Sequence, residues 1–303
     1  MINYNSPAAL KAFLDQEGLG MRRKFGQNFL INPQIRQALV QALNAGHGDE
    51  VWEIGSGIGA MTSLLLEKGM LVRAFEIDPG FISVLKKLFI SRENFFLVEG
   101  DVMKTWRTQS EREAPYLLGN LPYNLAAALL ADFIEKKHFF SRMVVTVQKE
   151  TALRMAASAG SQDYSSFSVL CASVYNVKPF ILIKPDSFFP RPNVDSMGVL
   201  LESKFLNLND APQYPDIFYP LVRSLFASRR KTIKNNLFAF LSSGTVNRIN
   251  NITAQLKQCV QEMCITVLRE NSISENERAE NLDFNAFLSL AKSIDNMRLF
   301  KQE

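Results

Sequence analysis

The chain has 303 residues, 47% of them hydrophobic and 21% charged, with a formal net charge of +4. These proportions are ordinary for a soluble globular protein, and the length suits two domains of unequal size better than one small core. Three cysteines without CxxC spacing and only two histidines leave a zinc site almost without ligands, and no apolar run approaches the roughly 20 residues of a membrane span. The mild basic excess permits binding to a polyanion without arguing for it. No basic start followed by an apolar core opens the chain, so the expectation is a cytoplasmic protein with no membrane contact, no metal and reduced, packed cysteines.

In chain order, a short helix is expected over Pro7 to Gln16, closed by Gly18 and Gly20. A basic cluster, Arg22-Arg23-Lys24, runs into Phe25-Gly26-Gln27-Asn28-Phe29-Leu30. A helix then starts at Pro33 with Asn32 as its cap and Gly46 past its end. Val51 to Ile54 reads as a strand running straight into Gly55-Ser56-Gly57-Ile58-Gly59, with a helix from Ala60 to Lys68 behind it. A second strand, Leu71 to Phe75, ends at Glu76, Asp78-Pro79 caps the next helix, and a third strand, Phe95 to Val98, ends at Gly100-Asp101.

Three successive strand ends thus carry glycines, Glu76 and Asp101, the position where nucleotide-like ligands bind in open α/β sheets. The dinucleotide fingerprint is G-x-G-x-x-G, shaped for a pyrophosphate at a helix N-terminus. Here the spacing is G-x-G-x-G with Glu53 just upstream, and a carboxylate beside the loop suits a cationic, phosphate-free ligand. S-adenosylmethionine fits that better than NAD. Glu76, about 20 residues beyond the loop, is placed to accept from both ribose hydroxyls.

A fourth strand, Pro115 to Leu118, ends at Gly119 and delivers Asn120-Leu121-Pro122-Tyr123. An amide, a carbonyl held by the following proline and an aromatic ring form a device for gripping a planar base by its amino group. Helix Leu125 to Glu135, strand Arg142 to Gln148 and helix Lys149 to Ala157 follow, then a helix from Ser165-Ser166 through Tyr175. The last two strands are expected at Pro179 to Lys184 and Met197 to Glu202, around a proline-stiffened loop, Phe188 to Ser196, that can present a phenylalanine at low entropic cost. A polar linker over Leu206 to Pro215 leads to helices at Asp216 to Leu241, Ala254 to Val267 and Phe284 to Lys301. The first carries Arg223, Arg229, Arg230, Lys231 and Lys234 with no acid between Leu221 and Leu237, which points to a phosphate-contacting surface.

These motifs, in this order, resemble the ribosomal RNA adenine N6-dimethyltransferase family. The matching stretches are Gly26 to Leu30, Val51 to Gly57, Glu76-Ile77-Asp78, Gly100-Asp101, Asn120 to Tyr123, Phe188 to Ser196, Phe226 to Thr232 with Asn235-Asn236-Leu237, and Arg278 to Leu282. The tail motifs are similar to the housekeeping branch more than to the macrolide-resistance branch. Ser56, Met61, Ser165-Ser166 and Asn193 depart from residues frequent in the family.

The resemblance implies a Rossmann-like class I methyltransferase domain over 1–205 with a seven-stranded, mostly parallel sheet, and a smaller all-α RNA-binding domain over 206–303. It implies N6,N6-dimethylation of two adjacent adenosines in a hairpin loop near the 3′ end of small-subunit (16S) ribosomal RNA, within a pre-30S particle, by a monomer using S-adenosylmethionine. Gln27, Asn28, Leu30, Gly55, Gly57, Glu76, Asp101 and Asn120 would line the donor site, with Asp101 on the adenine amino group. Asn120 and Leu121 would accept the two N–H bonds of the target amine, Pro122 would hold Leu121 extended, and Tyr123 and Phe188 would sandwich the base. Arg22, Arg23, Lys24 and the five basic residues of the helical region would meet RNA. Competing readings are a large-subunit, macrolide-resistance type of adenine methyltransferase, or a non-catalytic assembly or transcription factor on the same fold.

Overall fold

The computed structural model describes residues 2–20, 28–109, 115–121, 125–242 and 254–297. The chain divides into two compact units, Met1–Leu153 with Val174–Asp210, and Arg154–Ser173 with Ala211–Glu303. In order, the elements are α1 (Pro7–Gln16), β1 (Phe29–Leu30), α2 (Pro33–Leu43), β2 (Glu50–Ile54), α3 (Ala60–Glu67), β3 (Leu71–Glu76), α4 (Pro79–Phe89), β4 (Phe95–Glu99), α5 (Val102–Thr105), β5 (Tyr116–Asn120), α6 (Ala126–Glu135) and β6 (Arg142–Gln148). Then come α7 (Lys149–Ala156), α8 (Ser166–Val174), β7 (Tyr175–Ile183), β8 (Phe188–Phe189), β9 (Ser196–Ser203), α9 (Phe218–Leu225), α10 (Ile233–Ser242), α11 (Ala254–Glu270) and α12 (Phe284–Asn296).

The first unit is built on a seven-stranded sheet of order β4-β3-β2-β5-β6-β9-β7. Strands β2 to β6 run parallel, β9 is antiparallel to β6, and β7 is antiparallel to β9. Parallel neighbours need a crossover, supplied here by α3, α4 and α6. Buried side chains on both faces of the strands, as in Val51-Trp52, Leu117-Leu118 and Met143-Val144-Val145, explain why they read as continuous apolar runs rather than alternations. The helices start where their caps dictate: the Asn32 side chain accepts from Ile35 N at 3.2 Å and that of Asp78 from Gly80 N at 2.8 Å, each followed by a proline. Helix α2 is closed by Asn44, which takes the left-handed conformation (φ 53°), with Gly46 past its end.

From β2 the chain builds outward to β3 and β4, then returns to place β5 on the opposite side of β2. That reversal opens a crevice at the carboxyl ends of these strands. A second, two-stranded sheet pairs β1 with β8, Phe29 opposite Phe189 and Leu30 opposite Phe188.

The helical unit has its own core, formed by Phe218, Leu221, Leu225, Ile233, Leu237, Cys264, Val267, Phe287, Leu290 and Ile294. Arg154–Ser173 belongs to it, so the division is not a single cut at 205. Tyr164 and Val169 are buried in that core, and the Tyr164 hydroxyl donates to the Leu282 carbonyl at 2.9 Å. The helix expected over Asp216 to Leu241 is two helices, α9 and α10, parted by the turn 226–232. Asn236 makes that turn: buried, its amide donates to the carbonyls of Leu225 (2.8 Å) and Ser228 (3.1 Å) and so satisfies the end of α9. Cys171 and Cys264 are buried, as expected of packed thiols, whereas Cys259 is exposed.

Candidate functional site

The crevice at the ends of β2, β3, β4 and β5 is a cleft lined by Asn28, Leu30, Glu53, Gly55, Glu76, Ile77, Asp101, Asn120 and Leu121, among others. Its charge is one-sided. Glu53, Glu76 and Asp101 contribute carboxylates and, among the described residues, no lysine or arginine lines it. Such a wall repels phosphates and attracts a cation, so the side chains fit a phosphate-free cationic nucleoside and not a dinucleotide.

Glu76 is held in one orientation by three backbone donors. Its Oε2 accepts from Gly57 N at 2.7 Å, and its Oε1 from Ile77 N at 2.9 Å and Asp78 N at 2.8 Å. Burial raises its pKa, and these bonds work in the opposite direction. With two lone pairs per oxygen, Oε1 is filled and Oε2 retains capacity for a hydroxyl. Gly57 therefore acts one step behind the cleft wall: its φ of 55° turns its N–H onto Glu76. Gly55, with φ of 73°, lines the cleft and donates to the Phe75 carbonyl at 2.9 Å.

Asp101 caps α5 by accepting from Met103 N at 3.0 Å through Oδ1, which leaves the other oxygen for a ligand. Glu53, 3% exposed, accepts from the Thr62 hydroxyl at 2.6 Å. Burial pushes its pKa up to about 8. A cation in the cleft would favour its charged form.

Asn120 closes β5, and its Nδ2 donates to the Asn28 carbonyl at 2.8 Å. A carbonyl only accepts, so this contact fixes which end of the amide is which and leaves Oδ1 as the acceptor offered to a ligand. Leu121 follows, with its N–H on the Thr146 carbonyl at 3.2 Å. Side-chain oxygen and main-chain carbonyl thus succeed one another at the strand end, the arrangement needed to accept both hydrogens of an amine.

The structure brings Asn28, Leu30, Gly55, Glu76, Asp101, Asn120 and Leu121 to one cleft. Phe188 stands opposite Leu30 in the β1–β8 pair and is 3% exposed, packed in the cluster that holds Leu30 and Ile183 rather than lining the cleft. Gln27, Pro122, Tyr123, Arg22, Arg23 and Lys24 lie outside the described residues.

In the helical unit, Arg229, Arg230 and Lys231 sit on the turn 226–232, Lys234 at the start of α10 and Arg223 on α9. Arg229 pairs with Glu280 at 3.2 Å and Lys234 with Glu275 at 2.7 Å. Arg230 and Lys231 are exposed and have no ion-pair partner among the described residues. Counting acids near the helix missed both pairings, because the carboxylates arrive from a distant loop. Ile77, 40% exposed on the cleft wall, was also not singled out by the sequence. Among the described residues no His, Cys, Asp and Glu cluster could hold a metal, and no helix is long and apolar enough to cross a membrane.

A family profile described as "Ribosomal RNA adenine dimethylase" matches residues 18–272. The chain is similar to the "Ribosomal RNA small subunit methyltransferase A" of Treponema denticola, 42% identical over 309 residues and covering 97% of each chain. The protein of the same name from Borreliella afzelii is 35% identical over 295 residues, covering 97% of this chain and 95% of its own. Among solved structures, a dimethyladenosine transferase from Plasmodium falciparum superposes with a TM-score of 0.70 at 28% identity, covering 88% of this chain and 96% of that one.

Proposed function

The chain belongs to the ribosomal RNA adenine dimethylase family, and from that premise we propose that it transfers methyl groups from S-adenosylmethionine to the N6 of two adjacent adenosines in a hairpin loop near the 3′ end of small-subunit ribosomal RNA. The observation that carries this reading is the Asn120 amide, locked by the Asn28 carbonyl with its oxygen free to accept, at the edge of an acidic cleft.

S-adenosylmethionine supplies, when bound, an electrophilic methyl group on a sulfonium. The chain's residues do the rest. Glu76 accepts one ribose hydroxyl at the spare lone pair on Oε2 and not both, Asp101 takes the adenine amino group, and Glu53 answers the positive charge. On the acceptor side, the exocyclic nitrogen of adenine is a poor nucleophile because its lone pair is delocalised into the ring. Accepting its two N–H bonds at Asn120 Oδ1 and the Leu121 carbonyl favours a pyramidal nitrogen and aims the lone pair. This is catalysis by position and fixed dipoles, with no demand for a strong base.

Tyr123 is the proposed stacking face for the flipped base, with Pro122 restricting Leu121. The burial of Phe188 gives it a supporting part in this reading: it braces β8 against β1, whose Asn28 end steers Asn120. Arg230 and Lys231 are the proposed principal phosphate contacts of the helical unit, with Arg223, Arg229, Lys234 and the segment Arg22-Arg23-Lys24 contributing, and Gln27 joins the donor site. The working form is a cytoplasmic monomer acting on a pre-30S particle. Incubation with labelled donor tests the proposal: methyl transfer to undermethylated small subunits is expected, and transfer only to protein-free large-subunit RNA would overturn it.

A further inference from the structure

The segment ahead of the glycine loop is tied into the cleft by two polar side chains that the reaction itself does not use. Tyr4 donates its hydroxyl to the Ile58 carbonyl at 3.0 Å. Ile58 belongs to the glycine loop, lines the cleft, and is buried with Leu10 and Leu14 of α1, Phe29 and Phe81. Arg36 projects from α2 and is 5% exposed. Its guanidinium donates to the Leu30 carbonyl at 2.6 Å, to the Tyr4 carbonyl at 3.3 Å, and to the Asn5 side chain.

No carboxylate pairs with Arg36 among the described residues, and its Nε has no hydrogen-bond partner there. A buried cation without an anion is costly, and an aliphatic side chain on this apolar helix face would avoid that cost. What the guanidinium provides instead is directional: it joins three acceptors on two separate segments, the Tyr4-Asn5 stretch and β1, to one rigid helix. β1 lines the cleft, and the Tyr4-Asn5 stretch reaches it through Ile58. β1 carries Leu30 on its wall and follows Asn28, whose carbonyl orients Asn120, while Tyr4 holds the loop that presents Gly55.

We propose that Tyr4 and Arg36 are positioning residues of the donor site, Tyr4 fixing the glycine loop through the Ile58 carbonyl and Arg36 fixing Tyr4 and β1 relative to α2. The inference rests on the reading of the cleft as the S-adenosylmethionine site. Tyr4 lies ahead of residues 18–272 that match the family profile and Arg36 lies within them, so the brace joins a stretch outside that match to one inside it. Burial, with the charge of Glu53 next, raises the Tyr4 phenol well above its ordinary value, so it remains a donor.

The test uses the full chain with Tyr4→Phe, Arg36→Lys and Arg36→Met, and measures donor Kd by calorimetry, KM for donor and for RNA, kcat, and melting without donor. Tyr4→Phe removes one hydroxyl, and donor Kd and KM should rise about two- to tenfold. The RNA KM should stay unchanged and kcat at saturating donor should stay within about twofold. Arg36→Lys, keeping the charge but not the three-way reach, should fall between wild type and Arg36→Met. Should Arg36→Met fail to fold, Tyr4→Phe carries the test alone. A Tyr4→Phe protein with a lowered melting temperature but wild-type donor Kd and KM would overturn the proposal, as would equal changes in the donor and RNA KM. Failure of the wild type itself to bind S-adenosylmethionine would instead overturn the reading of the cleft.

Discussion

Replacing Asn120 with alanine separates orientation of the amine from binding of the donor. Asn120 Oδ1 is the only side-chain acceptor in the proposed amine grip, and its Nδ2 is tied to the Asn28 carbonyl at 2.8 Å. Losing one preorganised group that acts at the transition state costs about 2.7–4 kcal/mol, a factor of about 100 to 1000 in rate. The same substitution deprives the Asn28 carbonyl of a donor. Both residues are half-buried, so water can replace the lost donor and the cost there is about 1 kcal/mol, which limits the change in donor Kd to about fivefold. The chemical step should therefore suffer at least an order of magnitude more than donor binding. Asn120→Asp should not restore it, since a carboxylate oxygen would face the Asn28 carbonyl where a donor is required. Single-turnover methyl transfer with saturating donor and RNA, beside calorimetric donor titration, reads both quantities. An Asn120→Ala rate within about tenfold of wild type would refute the orienting role.

Glu76→Gln conserves shape yet should weaken donor binding and lower the melting temperature: backbone N–H groups meet both carboxylate oxygens, so an amide nitrogen faces a donor in either orientation. A Gln variant with wild-type Kd would contradict that geometry. Neutralising Arg230 and Lys231 together should reduce the slope of log RNA affinity against log salt by about 1.4 to 1.8, whereas neutralising Arg229 and Lys234, whose charges are shared with Glu280 and Glu275, should reduce it by less. In donor-free protein, stability should fall on both sides of a mildly acidic range. Glu53, with its folded pKa raised to about 8, contributes stability that is present below the ordinary carboxylate range and lost as pH rises through 8. His138, lowered to about 4 by burial, contributes stability present above its ordinary value of 6.5 and lost as pH falls through 4. Melting curves of Glu53→Gln should lose the alkaline decline, up to about 1.4 kcal/mol per pH unit, and those of His138→Phe the acid one; unchanged profiles would show that other groups govern both limbs.

Much of the donor side was legible in the sequence because it is written locally. Gly55 follows directly on β2, Glu76 ends β3 and Asp101 lies two residues past β4, each a mostly apolar strand, so finding the strand finds the residue. The caps at Asn32 and Asp78 announced their helices in the same way. What escaped was written at long range. β1 and β8 are two residues each and exist only because positions 29–30 meet 188–189, so no periodicity could reveal them. Their pairing buries Phe188, which the proline-stiffened loop is expected to present. The break between α9 and α10 contains no glycine or proline and is stabilised by a side chain, Asn236, from the following helix. Arg36 interrupts the apolar face of α2 and reads locally as a surface residue, since its acceptors come from Tyr4, Asn5 and Leu30. The uniform charge of the basic region was real along the chain and partly cancelled in space by Glu275 and Glu280.

The proposed activity of this acidic cleft and its Asn120 edge is modification of adjacent adenosines of small-subunit ribosomal RNA. Mass-spectrometric mapping of methylated adenines in ribosomal RNA from cells with and without the protein tests it most directly. A pair of neighbouring N6,N6-dimethyladenosines near the 3′ end of the small-subunit RNA is expected, vanishing with the protein and returning with its wild-type copy. A small-subunit pattern unchanged by its loss, or a change confined to the large-subunit RNA, would contradict it.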